Sequence, residues 1–192
     1  MSSRRIPIFS TIVVAVAVAT MIALGFWQLA RKAEKEALLA HYARALTMSS
    51  DVAWPRTTAD YPLALYRHAR IDCARVDSIE AVAGRSLSGR AGWAHVAECG
   101  LPGAGMAAVA IGWSERPQSP AWAGGEVGGF IGPAGKSIRL IASPAQAGLE
   151  PLAAPDPQNI PNNHLSYAVQ WFAFAATALV IYVLALRKRW RG

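Results

Sequence analysis

The sequence predicts a membrane protein of the α+β class, with two transmembrane helices enclosing a small, mainly antiparallel β-rich extracytoplasmic domain. Of the 192 residues, 53% are hydrophobic and only 16% are charged, whereas about a quarter of the residues of an ordinary soluble domain are charged. Residues 8–29 and 165–186 each run without a charge, and at about 1.5 Å per residue each is long enough to cross roughly 30 Å of hydrocarbon. Between them, short apolar runs alternate with glycine and proline turns, which is typical of a β domain.

The net charge of +7 is concentrated at the two ends of the chain. Arg4 and Arg5 precede the first apolar run, and four basic residues follow the second one: Arg187, Lys188, Arg189 and Arg191. All 12 acidic residues lie between the two runs. Because basic flanks are retained in the cytoplasm, we expect both termini there and residues 31–163 outside. The basic charge therefore indicates membrane topology, and we expect no nucleic-acid partner.

We predict seven segments in chain order. They are a cytoplasmic N-terminus (1–7), a first transmembrane helix (8–30), its helical extension (31–46), the β-rich domain (47–145), a proline-rich connector (146–163), a second transmembrane helix (164–186) and a basic cytoplasmic tail (187–192). A cleaved signal peptide is the alternative for the first helix, since small residues at 15–19 have cleavage-like spacing. The apolar run continues past them, which favours an uncleaved anchor.

Strands are predicted where apolar residues alternate between turn signals. Residues 63–71 alternate with period two and read as a half-buried strand. Similar short runs occupy 91–99, 106–113, 127–131 and 137–142. The connector is predicted to be extended, because its four prolines forbid a regular helix.

The cysteines and the polar residues of the central domain point to no enzyme. Cys73 and Cys99 lie in the translocated segment, so a disulfide bond and two buried free thiols both remain open. A copper carrier is disfavoured, because the cysteines are far apart and the methionines are scattered. The residue types of a hydrolytic site are present but in no recognisable motif: His68, Asp77, Ser86, Ser88 and His95.

A histidine, His164, stands where the polar connector gives way to the second apolar run. On a helix, six residues spaced by three and four form one stripe: His164, Tyr167, Trp171, Phe174, Ala178 and Tyr182. In one interpretation, Tyr167 and Trp171 belong to the interfacial aromatic belt and His164 bonds to water or head groups. In the other, an imidazole beside an aromatic, apolar face binds a flat cofactor such as haem.

Contact between the two helices is predicted from small and polar residues. Gln28 and Gln170 are positioned to form hydrogen bonds across a helix pair. Small residues at four-residue spacing predict a close approach, although they equally suit a lipid-facing surface: Ala15, Ala19, Ala23, Ala173 and Thr177.

Two motifs resemble those of a known family. LGFWQLAR at 24–31, followed by Lys35, resembles the LGxWQxxR…K motif at the first membrane helix of the surfeit locus protein 1 family. IPNNHLSYAVQWF at 160–172 is similar to the closing signature of that family, IPNNHLxYAxxWF. The resemblance implies a non-enzymatic assembly factor for haem-copper cytochrome c oxidase in the bacterial cytoplasmic (inner) membrane, with a periplasmic central domain.

The resemblance also implies a cofactor, partners and site residues. Haem a would be bound transiently and delivered to the oxidase catalytic subunit at the outer half of the membrane, with the enzyme that makes haem a and the lipid bilayer as further partners. His164 matches the histidine of the family motif and is the candidate ligand of the haem iron. Tyr167 and Trp171 would wall the ring, with Trp27 and Gln28 close by. The alternative is a membrane scaffold that stabilises an oxidase assembly intermediate without binding cofactor itself.

The central domain departs from the family pattern at one turn. An Asn-Arg-Gly-Trp-Val-Pro-like sequence is expected, whereas Ala110 and Ile111 here precede Gly112 and Trp113. The role of the missing arginine is therefore in doubt, unless Arg116 replaces it.

Overall fold

The computed structural model describes residues 7–103 and 105–191. Arg4 and Arg5, and with them all but the last residue of the predicted cytoplasmic N-terminus, lie outside the described residues. The chain divides into two compact units. A helical unit contains the residues up to Leu38 and those from Ile160 onward, and a sheet unit contains Leu39–Asn159.

Two long helices dominate the helical unit. Helix α1 spans Ile8–Leu46, and helix α3 spans His164–Arg191. With 39 residues, α1 is about 58 Å long and exceeds the thickness of the hydrocarbon layer. Only 11% and 6% of the most apolar stretches of the two helices are buried, and both helices are long and apolar enough to cross a membrane.

The sheet unit contains six strands, β1 His68–Cys73, β2 Arg75–Arg85, β3 Ala91–Leu101, β4 Gly105–Ser114, β5 Gly125–Ala134 and β6 Ser137–Ala142. Their order across the sheet is β1-β5-β6-β4-β3-β2. Four neighbouring pairs are antiparallel, and β4 pairs with β6 in parallel. The predicted fold class, two candidate membrane helices and a mainly antiparallel sheet, is confirmed.

A disulfide bond joins β1 to β3. Cys73 and Cys99 are bridged, and next to them the Ala74 backbone N–H donates to the Gly100 carbonyl oxygen at 3.1 Å. Both cysteines are buried in the hydrophobic core, which is built from Ile71, Val109, Ile131 and Leu140 among others. Of the two alternatives left open by the sequence, the structure contains the disulfide bond.

The predicted strand at 63–71 is wrong in its first half. A short helix, α2 (Tyr61–Ala64), carries a proline in its first turn, and Tyr66 has a φ of 65°. A positive φ is incompatible with an extended strand, so β1 begins only at His68. The alternation had assigned Leu63 to the buried side, but Leu63 is 72% exposed.

Strand β2 was not predicted at all. Its burial alternates only loosely along Arg75–Arg85, because it lies at the edge of the sheet and a bulge between Val76 and Ser78 interrupts its pairing with β3. A bulged strand shifts its side chains between the two faces, which erases the period of two.

Part of the proline-rich connector pairs with the sheet through backbone hydrogen bonds. Glu150 and Trp113 exchange two backbone hydrogen bonds of 2.7 and 3.0 Å, and Leu152 forms a bridge with Ser86. Glycine makes this approach possible, because a Cβ at Gly112 would lie 3.1 Å from the Glu150 carbonyl oxygen. The extended geometry was expected, but its packing against the sheet was not.

The arginine that contacts Trp113 is Arg90, which the sequence did not indicate. The Arg90 guanidinium lies 4.6 Å from the centre of the Trp113 ring and donates to Glu115 at 2.8 Å. Ile111 is fully buried, whereas Arg116 is exposed. Among the described contacts, Arg90 is the cation that contacts the tryptophan.

Candidate functional site

The candidate site lies at the start of α3. Pro161 precedes the helix and cannot extend it backwards, and the first helical turn closes through the Tyr167 N–H and the Asn163 carbonyl oxygen at 3.2 Å. His164 is consequently the first residue of the helix, and its side chain is half-buried. Two residues earlier, the side-chain oxygen Oδ1 of Asn162 is buried without a hydrogen-bond partner among the described residues.

A hydrogen bond joins His164 to the first helix. Its Nδ1 lies 2.7 Å from Oε1 of Gln28. Because an amide oxygen only accepts, Nδ1–H of the imidazole is the donor. In the tautomer with Nδ1–H, the lone pair is on Nε2, and a metal ion binds through that lone pair.

Close helix packing holds these two residues in place. Phe172 packs edge-on against Phe26 with ring centres 5.4 Å apart, and a Cβ on Gly25 would lie 2.5 Å from the Phe172 ring. Farther along, the hydroxyl groups of Thr11 and Tyr182 are hydrogen-bonded. The contact therefore extends well along both helices, on the side of α1 that carries Gly25 and Gln28.

Two alternatives were left open for the small residues, a helix contact and a lipid-facing surface, and the helix contact is wrong. Five small residues expected in the contact are exposed: Ala15, Ala19, Ala23, Ala173 and Thr177. On α1 the contact instead follows Thr11, Val18 and Gly25, at intervals of seven residues. A seven-residue repeat follows the line of contact between two supercoiled helices, whereas alanines four residues apart drift away from it. On α3, Ala168 and Ala175 are the buried small residues, again seven apart.

The predicted aromatic site residues differ in how far they are buried. Trp171 is half-buried and lies edge-on to Phe174, with ring centres 6.2 Å apart. Trp27 is 53% exposed and Tyr167 is 50% exposed. Of the five predicted site residues, Gln28 and His164 are thus joined by a hydrogen bond. Trp27 and Tyr167 remain about half exposed.

Sequence reasoning did not single out Gly25, Phe26 and Phe172 as packing residues of this site. Phe26 and Phe172 were quoted only as letters of the family motifs. The available signal was the glycine one turn before Gln28, since a glycine in a membrane helix lets a neighbouring ring approach the backbone.

The hydrolytic residue types of the sheet unit do not converge. His95 is fully buried, with Nε2 2.8 Å from the Ser114 hydroxyl and Nδ1 3.0 Å from the Ser119 hydroxyl. Burial lowers the pKa of His95. Ser114 donates in turn to the Arg116 carbonyl oxygen at 2.6 Å, so its proton is not directed at the imidazole. His95 holds neighbouring chain segments together.

The other such residues lie in separate contacts, away from His95. His68 contacts Asp51, with Nδ1 and Oδ1 2.5 Å apart. Ser86 and Ser88 bond to each other at 2.9 Å, and Asp77 pairs with an arginine two residues earlier. Within the described residues, no group of three or more His, Cys, Asp or Glu side chains is arranged to hold a metal ion.

Comparison with known proteins assigns the family. The family model described as the SURF1 family matches residues 15–176, from the first helix through the sheet unit into the second helix. A search of curated proteins finds no match. The chain therefore belongs to the SURF1 (surfeit locus protein 1) family, a family of cytochrome c oxidase assembly factors.

Proposed function

We propose that this oxidase assembly factor holds haem a at His164 and delivers it to the catalytic subunit of a haem-copper cytochrome c oxidase. The observation that carries the proposal is the 2.7 Å hydrogen bond from Nδ1 of His164 to Oε1 of Gln28. A histidine that ligates a metal almost always donates its other ring N–H to an oxygen acceptor, which fixes the tautomer and the ring orientation. Here Gln28 supplies that acceptor and leaves Nε2 for iron.

The surroundings of His164 suit a large, flat and mostly apolar group. About half of each of the Trp27 and Tyr167 residues is exposed and available for contact with a ligand. Trp171 lies about two turns after His164 along α3. Asn162 adds a buried oxygen without a partner among the described residues, which a hydrogen-bond donor on a ligand would satisfy. When bound, the haem would supply a redox-active iron, while the protein binds, orients and shields it.

Charge and redox chemistry support the proposed direction of the chain in the membrane. Basic residues end α3, at Lys188, Arg189 and Arg191, and basic ends remain in the cytoplasm. The Cys73–Cys99 disulfide bond supports an oxidising compartment for the sheet unit, such as the periplasm. In this topology both termini are cytoplasmic, the membrane is the bacterial inner membrane, and His164 stands at its outer side.

A scaffold without cofactor is the competing function. The close contact of Gly25 with Phe172 favours it to the extent that a tightly packed helix pair is a suitable docking element for oxidase helices. In both cases the partner is the oxidase catalytic subunit. Only the haem-binding function needs the enzyme that makes haem a as a second partner.

The deciding experiment is a reduced-minus-oxidised absorption spectrum of the protein purified in detergent from cells that synthesise haem a. We expect a haem band in the wild type and none in His164→Ala. His41→Ala is the matched control, because His41 is also a histidine on a long helix but is exposed and outside the site. A wild-type protein without haem, together with normal oxidase assembly in the His164→Ala strain, would establish the scaffold function instead.

A further inference from the structure

A polar side chain, Gln170, lies within the apolar run of α3 and takes no part in the contacts between the two helices. It follows His164 by six residues, which is about 9 Å along a helix. Gln28 and Gln170 were both expected to form hydrogen bonds across the helix pair, and Gln28 does so. The side chain of Gln170 is exposed and has no hydrogen-bond partner among the described residues.

Helix α1 is on the wrong side of α3 to supply that partner. Ala168 and Ala175 are the buried residues of α3, and they mark the side that faces α1. Gln170 follows Ala168 by two residues and is therefore rotated by about 200° around the helix axis. In the hydrocarbon layer no water replaces a missing partner, and an unpaired amide is costly there. The amide of Gln170 thus requires a partner from outside the helix pair.

Gln170 borders the aromatic surface of the proposed haem site. His164, Tyr167 and Gln170 follow one another at intervals of three residues, and each interval turns the helix by about 60° and advances it by about 4.5 Å. Tyr167 is 50% exposed, and Phe174, four residues after Gln170, is 56% exposed. Long side chains on a helix point back towards its N-terminus. The amide of Gln170 is therefore directed towards the end of α3 that carries His164, at the edge of this aromatic surface.

We propose that Gln170 is a specificity-determining residue of the haem site, whose side-chain N–H donates a hydrogen bond to the formyl oxygen of haem a. This inference rests on the proposed function. A formyl group at the edge of the ring distinguishes haem a from the haem that has a methyl group at that position and is otherwise identical, haem o. A carbonyl oxygen only accepts hydrogen bonds, and the amide of Gln170 has two N–H groups to donate.

The low polarity around Gln170 makes this hydrogen bond selective. A site that is built to hydrogen-bond one group rejects the analogue without it, because the polar group of the site is then left unpaired. A methyl group beside the amide of Gln170 would leave the amide as it is in the unliganded helix pair, without a partner. The same residue therefore favours the haem with a formyl group and disfavours its methyl analogue.

Titration of the purified protein in detergent with haem a and with haem o tests the selectivity. The wild type should bind haem a about 5-fold more tightly than haem o, which corresponds to one hydrogen bond. Gln170→Leu keeps the size of the side chain but removes the amide, so the two affinities should become equal. Thr177→Val is the matched control, because Thr177 is also an exposed polar residue on the same side of α3, two turns later. This control should keep the wild-type ratio.

The vibrational spectrum of bound haem a gives a second readout. A hydrogen bond weakens the formyl C=O bond and lowers its stretching frequency. In Gln170→Leu the formyl band should therefore move to higher frequency, whereas in Thr177→Val it should stay at the wild-type position. A residue that only supports helix packing would not shift this band.

His164→Ala separates this inference from the proposed function. If the wild type binds haem a and His164→Ala does not, but Gln170→Leu keeps the wild-type affinity ratio and formyl band, the role of Gln170 is overturned and the haem site stands. If the wild type binds neither haem, both are overturned. Impaired oxidase assembly in Gln170→Leu with an unchanged formyl band would assign the amide to a contact with a partner helix, and would likewise overturn the inference.

Discussion

Removing the Cys73–Cys99 bond should strongly destabilise the sheet unit. The two cysteines are 26 residues apart in sequence. Closing a loop of that size removes about 12 cal/mol/K of entropy from the unfolded chain, which stabilises the folded state by about 3.5 kcal/mol at about 25 °C. Since a domain has a net stability of only about 5–15 kcal/mol, the unbridged sheet unit should be marginally stable.

Urea unfolding of the full chain in detergent micelles measures this effect. Tryptophan fluorescence reports on the sheet unit through Trp113, which is buried there, and micelles protect the apolar helices from urea. With an m value of about 1.5 kcal/mol/M, the midpoint of the Cys73→Ala/Cys99→Ala variant should lie about 2.3 M below that of the wild type.

Reduced wild-type protein is the matched control, because it loses the cross-link but keeps both sulfur atoms in the core. It should show most of the same shift, and the difference between the two samples measures the packing of the sulfur atoms. A shift below about 0.5 M in the reduced protein would refute the reasoning, because the cross-link would then contribute little to stability.

Three further predictions follow from the described contacts. At the proposed haem site, Gln28→Leu removes the acceptor for the imidazole N–H and should lower haem affinity by about 10-fold or more, measured by haem titration of the purified protein. Burial lowers the pKa of His95 below its ordinary value of 6.5. Below pH 6.5 the unfolded chain therefore binds more protons than the folded chain. The contribution of His95 to the free energy of unfolding is fully present above pH 6.5 and is lost as the pH falls below it. The urea midpoint should accordingly fall between about pH 7.5 and about pH 5.5, and less so in His95→Gln. Gly92→Ala places a Cβ 2.5 Å from the Trp113 ring and should cost about 1–3 kcal/mol of unfolding free energy, whereas Gly105→Ala, with its nearest contact at 3.6 Å, should lower the urea midpoint much less.

Two kinds of feature could be predicted from the sequence: regular patterns of apolar residues, and single polar residues at the end of such a pattern. An uncharged apolar run identifies a candidate membrane helix whatever the rest of the chain does, and four of the five predicted strands coincide with β3 to β6. His164 was found in the same way, because it is a polar residue at the start of such a run. Local patterns carry this information, so no tertiary contact had to be known.

Features that depend on tertiary contacts escaped prediction. The positive φ of Tyr66 ends an apparently regular alternation, and the bulged edge strand β2 shows little alternation at all. Arg90 reaches Trp113 from a turn 23 positions earlier in the chain, and no sequence spacing indicates this pairing. The sequence left the role of the alanines open for a related reason, since spacing alone defines a stripe on each helix but not which stripe contacts the other helix.

The pairing of His164 with an amide gives a physical reason for a glutamine at position 28 of the first helix. A carboxylate would be a stronger acceptor for Nδ1–H, but burying a charge near a membrane is costly unless it is fully paired. The amide oxygen of Gln28 accepts the same hydrogen bond at 2.7 Å without adding a charge. The amide orients the ring and brings no charge of its own to the site. In the proposed haem site, one nitrogen of the imidazole is thus satisfied by the protein, and the other remains available for the iron.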